Sequence, residues 1–131
     1  MKLLSFLSEY TYSAARGVAG FLFSLHGVQK LFGALGAEQA VDLFSLLGLA
    51  GVIELVGGGL IMLGLFTPWV AFLASGQMAF AYFMAHAPNG AWPIMTGGEL
   101  PALYCFAFLH FASRGSGPIS LDRLVRGRST T

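Results

Sequence analysis

Charge is what this 131-residue chain most lacks: Asp, Glu, Lys and Arg make up 10% of it, against 56% hydrophobic residues. A water-soluble domain carries about 25% charged residues, so this composition excludes an ordinary soluble fold and names lipid as the solvent around most of the chain. Net charge is equally small. A formal +1 excludes the extended basic face that a nucleic-acid partner requires. A single cysteine, Cys105, excludes an internal disulfide, a CxxC redox pair, a multi-cysteine zinc site and an iron–sulfur cluster held by four cysteines. The three histidines His26, His86 and His110 form no HExxH or other metal-ligand spacing, so no metal site is expected. No intrinsic cofactor is read, and redox chemistry would use a group brought from outside. Repeats and low-complexity tracts are also missing, which leaves one domain over residues 1–131. The short "LLSFLS" run after Lys2, interrupted by Glu9, reads as an interfacial lead-in rather than a cleaved signal.

What is present in quantity is apolar length. A helix needs roughly 20 residues to cross about 30 Å of hydrocarbon, and four segments qualify, at about 14–33, 44–66, 68–86 and 99–113. The fold class is therefore all-α, an integral membrane four-helix bundle. Thr67-Pro68 reads as an N-cap followed by proline at the first helical position, making the turn between the second and third spans tight. "HAPNGAWPIMTGG" reads as an ordered interfacial loop carrying Trp92. After the fourth span, a basic tail over 116–131 starts an amphipathic helix at Ser120, with Leu121, Leu124 and Val125 apolar. Its Arg123, Arg126 and Arg128 are expected to contact anionic lipid. Lys2, Arg16, Arg114 and the tail arginines share one side and only Lys30 lies opposite, so the positive-inside rule predicts both termini in the cytoplasm.

Ionisable groups inside a span each need a reason, because a charge at the bilayer centre costs about 3 kcal/mol on insertion scales. On the first span Arg16, Ala19, Phe23, His26 and Lys30 form one stripe at helical spacing. Arg16 is placed to anchor at the cytoplasmic interface and Lys30 to snorkel to the outer one, whereas His26 lies deeper. Glu54 in "GVIELVGGGL" is mid-span, and Gly51, Gly57 and Gly58 share its face and permit a close helix approach. Counted by rise per residue, His26, Glu54 and Gln77 lie at comparable depth, roughly 10–14 Å from the outer surface, and are expected to meet in one pocket. Glu99 opens the fourth span as a favourable carboxylate at a helix N-terminus. His110, also on the fourth span, is expected deep against another helix, and His86 at the interface closing the third.

"HGVQKLFG", "ELVGGGLIMLGLFTP", "MAFAYFMAH" and "GGELPALYCFAFLHFASRGSGPISLD", in that order, cover most of the chain and resemble the DoxX-like family of small membrane proteins. The recurring polar positions of that family map to His26, Lys30, Glu54, His86, Glu99, Ser120 and Asp122. The resemblance implies a four-helix protein of the inner (plasma) membrane, with relatives that include a thiosulfate:quinone oxidoreductase subunit, proteins tied to catechol or quinone stress, and a membrane partner of superoxide-detoxifying and sulfurtransferase enzymes. The resulting expectation is a membrane subunit of a quinone-linked oxidoreductase or detoxification system. His26, Lys30 and Glu54 are its catalytic candidates, Gln77, Glu99 and His86 complete the ligand-binding set, and a bound quinone is the cofactor. A membrane or peripheral protein would supply the electrons. The alternative is a non-catalytic accessory subunit of a larger membrane complex; a third reading is proton or small-solute transport through the bundle.

Overall fold

A computed structural model describes residues 1–127, and all their regular structure is helical. A short α1 (Lys2–Phe6) leads into the 25-residue α2 (Ser8–Phe32). That helix ends at Gly33, whose φ of 61° gives the left-handed cap that glycine adopts at no steric cost. A loop follows, and then α3 (Leu46–Val52), a π-helical segment (Ile53–Gly57) and α4 (Gly58–Leu63), which continue one another. Ser45 starts this run as N-cap, its hydroxyl accepting from the Gly48 N–H at 3.0 Å. Next come α5 (Thr67–Ala81), a π-helical turn (Tyr82–His86), a 3₁₀ turn (Ala87–Asn89), α6 (Pro93–Thr96), α7 (Glu99–Arg114) and α8 (Leu121–Arg126).

The helices associate in two pairs, α2 along α3, the π segment and α4, and α5 along α7. The first pair is in backbone contact. A Cβ on Gly27 would lie 2.4 Å from the Leu55 nitrogen, one on Gly20 2.4 Å from the Met62 nitrogen, and one on Gly58 2.6 Å from the Ser24 nitrogen. Glycine at these positions is what allows so close an approach. Aromatic rings join the two pairs. Phe23 of α2, fully buried, meets Phe108 and Tyr104 of α7 at centroid distances of 4.7 and 5.5 Å, and Ile61, Ala71, Ala74 and Met78 complete the core.

Two stretches, Leu46–Leu63 and Thr67–Asn89, are long and apolar enough to cross a membrane by length and composition. The 16 residues of α7 fall short of that length, and Glu9, Arg16 and Lys30 dilute α2. Large apolar side chains nevertheless point outward on every long helix, among them Phe21, Leu49, Phe72 and Phe106.

The end near Gly64 departs from expectation in three ways. Thr67 is the first residue of α5, not its cap. The preceding Phe66 sits in the left-handed region at φ 52°, and its N–H donates to the Asp122 carboxylate at 2.9 Å. Arg16, expected as an interfacial anchor, is enclosed by protein. It is 3% exposed, and its guanidinium donates to the backbone carbonyls of Ile61, Ser116 and Ile119. The tail segment, finally, is built into the protein. Ser120 and Asp122 are buried, and the Asp122 N–H donates to the Gly64 carbonyl at 3.0 Å. Arg123 and Arg126 are both exposed, Arg126 lying over the Phe66 ring at 4.7 Å; Arg128 lies outside the described residues.

Candidate functional site

Lys30 stands in the last turn of α2, and Gly27 one turn earlier brings that helix against the backbone around Leu55. Glu54 occupies the π-helical segment, where one extra residue per turn re-aims side chains and which recurs at functional positions. The two meet directly: Lys30 Nζ donates to both Glu54 oxygens, at 2.6 and 2.7 Å. Gln77, from the middle of α5, adds an amide N–H to Glu54 Oε1 at 2.9 Å. Three polar side chains from three helices thus converge on one carboxylate that is only 2% exposed. An ion pair so withdrawn from water survives only when its remaining bonding capacity is met, and the Lys30 fork and the Gln77 amide together meet it for Glu54. The Gln77 carbonyl oxygen Oε1 is different. It is buried and has no hydrogen-bond partner among the described residues.

These groups form the polar part of a cleft of about 580 Å³ between the α3–α4 run and α5. Its walls are otherwise apolar, with Leu46, Ile53, Phe72, Phe80 and Met84 prominent, and Gly76 leaves open space at one side. A concave, mostly apolar volume with a few convergent polar groups has the usual build of a small-molecule site.

The other candidates lie elsewhere. His26 does not line the cleft and makes no hydrogen bond to Glu54 among the described residues; its ring stands edge-on to Tyr104 of α7 at 6.2 Å. Four residues of helix rotate it about 40° from Lys30, enough to turn it from the α3–α4 run toward α7. Depth alone did not bring it to Glu54. His86 Nδ1 is 2.9 Å from the Thr96 carbonyl and ties α6 to the end of the π-helical turn. Glu99 is exposed at the start of α7. His110, expected deep, is exposed and stands edge-on to Tyr12 at 5.7 Å.

The profile of one known family, DoxX, matches residues 12–87, a stretch that includes Lys30, Glu54 and Gln77. The chain belongs to the DoxX family. Among DoxX relatives, an uncharacterized protein of Haemophilus influenzae (strain ATCC 51907 / DSM 11121 / KW20 / Rd) is 42% identical over 120 residues, covering 86% of this chain and 89% of its own. A protein of Bacillus subtilis (strain 168) named "Putative oxidoreductase CatD" is 29% identical over 117 residues, 84% of this chain and 83% of its own. No solved structure matches this DoxX chain significantly.

The polar groups at the opposite end were the ones sequence reasoning assigned least well. Tyr12 donates to the Gly115 carbonyl at 2.5 Å, and Asp122 also accepts from Ser116 Oγ at 2.6 Å. An arginine in an apolar helix and an acid two residues after a capping serine were the available signals.

Proposed function

We propose that this DoxX protein is a multi-pass inner-membrane protein and the membrane subunit of a quinone-linked oxidoreductase or oxidative-stress system, with Lys30, Glu54 and Gln77 holding the quinone head group. The observation that carries this reading is the buried carboxylate bonded by two other helices at the wall of an apolar cleft. Insertion is supported by the outward apolar side chains of all long helices, and α7, at 16 residues, crosses by local thinning and snorkelling at its ends. Arg16 and Arg114 gather with the tail at one end and Lys30 stands at the other, which supports cytoplasmic termini by the positive-inside rule.

The donor and acceptor set suits both oxidation states of a quinone. Lys30 has three N–H groups and commits its ammonium to Glu54, so one N–H can turn to a ligand carbonyl, as can the second N–H of Gln77. The unpartnered Gln77 Oε1 would accept a hydrogen bond from a hydroxyl of the reduced form once the amide turns toward the cleft. A bound quinone supplies two-electron, two-proton redox chemistry. Glu54, a carboxylate bonded by three N–H groups, would exchange one of the two protons with the ligand, the second accompanying the electrons from the partner. Lys30 moderates the charge of that carboxylate, and the apolar wall excludes water. Electrons come from a membrane or peripheral partner.

Purified protein in mild detergent, titrated with a short-chain ubiquinone analogue, tests the reading. Binding should weaken at least tenfold in Glu54→Gln and in Lys30→Ala, while His26→Ala stays within twofold. Unchanged binding in both cleft variants overturns the pocket and favours a non-catalytic accessory subunit.

A further inference from the structure

At the end of the molecule away from Glu54, a groove of about 770 Å³ runs between the start of α2, the end of α4 and the C-terminal segment. Arg16 and Arg123 line it with the hydroxyls of Ser13 and Ser120, and Met62 and Leu124 give it an apolar flank. Among the described residues no Asp or Glu lines it. Arg16 is the telling member. Its Nε donates to Ile61 at 2.9 Å, one terminal nitrogen to Ser116, and the other to Ile119 at 2.8 Å. A guanidinium has five N–H donors, so two are left over, and carbonyl oxygens carry no formal charge to balance a cation that is 3% exposed.

The nearby acids do not pair with these two arginines. Asp122 Oδ2 accepts from the Phe66 N–H and from Ser116, and Oδ1, 3.8 Å from Arg126 Nε, has no hydrogen-bond partner among the described residues. Glu9 pairs with Arg114. Among the described residues, Arg16 and Arg123 therefore have no carboxylate within ion-pairing distance. A buried charge with no counter-charge in direct contact is costly, and charge-assisted bonds to an anion relieve that cost.

We infer that this groove binds one anionic glycerophospholipid, its phosphate between Arg16 and Arg123 and an acyl chain along Met62 and Leu124. A free phosphate would leave the apolar flank bare; a phospholipid carries charge and hydrocarbon in one molecule. Leu124 and Val125, 79% and 75% exposed, continue the apolar surface beside the groove. Basic pockets on the cytoplasmic side of helix bundles take anionic headgroups for this reason. The inference rests on membrane insertion and is independent of the quinone pocket.

The full chain is reconstituted in vesicles of equal phosphatidylglycerol and phosphatidylcholine, extracted in mild detergent, and its retained lipid counted by native mass spectrometry. Phosphatidylglycerol is expected to be enriched. Arg123→Ala, at an exposed side chain whose one hydrogen bond among the described residues is to the Pro118 carbonyl at 3.3 Å, should lower that enrichment roughly fivefold. In Arg16→Lys the three N–H groups are all claimed by carbonyls, and enrichment should fall further while the fold persists. Equal retention of the two lipids, or undiminished enrichment in Arg123→Ala, overturns the inference. So does displacement of the lipid by millimolar inorganic phosphate, which identifies a free-anion site. An alkaline carbonate wash of the same vesicles separates the two readings, since release of the chain overturns insertion itself.

Discussion

Replacing Gly27 by alanine should separate the helices that hold Lys30 and Glu54. The added Cβ would lie 2.4 Å from the Leu55 nitrogen, 2.6 Å from the Gly51 oxygen and 2.8 Å from the Leu55 Cα, all backbone atoms that no rotamer change can move. Bringing the 2.4 Å contact to an ordinary 3.4 Å requires the two helices to part by about 1 Å at this level. Overpacking of a side chain costs about 1–3 kcal/mol; against two rigid backbones the upper end applies, roughly 3 kcal/mol, or a fall in Tm of about 10 °C for a chain this size. Gly59, in the adjoining helix, has nothing within 4 Å of its built Cβ, so Gly59→Ala is the matched control and should be neutral or slightly stabilising through the entropy that alanine removes from the unfolded chain. Thermal unfolding of both variants in one detergent, followed by circular dichroism, makes the comparison. A Gly27→Ala protein within about 2 °C of the parent would refute the claim that backbone contact sets this helix spacing.

Lys30→Met leaves the buried Glu54 with only the Gln77 amide. Losing one partner of a fully buried pair costs about 3–5 kcal/mol, and because the Lys30 side chain is 28% exposed the expected loss is roughly 2 kcal/mol, partly restored when Glu54→Gln is added, as read by thermal unfolding. Asp122→Ala removes the acceptor for the Phe66 N–H and for Ser116; a loss of about 1–2 kcal/mol should show as faster proteolysis of the segment after Arg114, and an unchanged cleavage rate would count against the clamp. Ser75→Ala deletes the hydroxyl that bonds the Cys105 carbonyl at 2.7 Å, and about 1 kcal/mol of stability should go with it, without change in ligand binding. Glu9→Ala breaks an ion pair whose partners are half exposed, and a shift beyond about 1 kcal/mol would contradict the small value of such surface pairs.

The local and one-dimensional features of the molecule could be read from the chain. Proline at 68 marks where α5 begins, Ser120 starts α8 as its cap, and the depth of Glu54 and Gln77 follows from rise per residue. What could not be read is azimuth and long-range bonding. Depth is additive along a helix, whereas the direction a residue faces depends on how that helix is rotated against its neighbours; His26 turned to Tyr104 shows the difference. The glycines divide in the same way: Gly51 and Gly58 meet α2, while Gly57 faces Val70 of α5. A π-helical segment shifts the helical phase after Ile53, and a pattern of 3.6 cannot reveal it. The Phe66 N–H just before α5 finds its acceptor 56 positions away, so no local motif encodes that bond, and Arg16 was conspicuous as a charge while the carbonyls that receive it come from two distant segments, the end of α4 and the stretch between α7 and α8.

The bond from Phe66 to Asp122 has a further consequence for biogenesis. Phe66 and Thr67 leave the ribosome long before Asp122 is made, 56 residues later. Until then the N–H of the left-handed Phe66 lacks its acceptor, and the Arg16 guanidinium lacks the Ser116 and Ile119 carbonyls. The helices can form in sequence, but the end that carries Arg16 closes only after the last of them has been made. Assembly at that end is a late step, and a nascent chain halted before residue 122 would hold its helices yet remain unlatched.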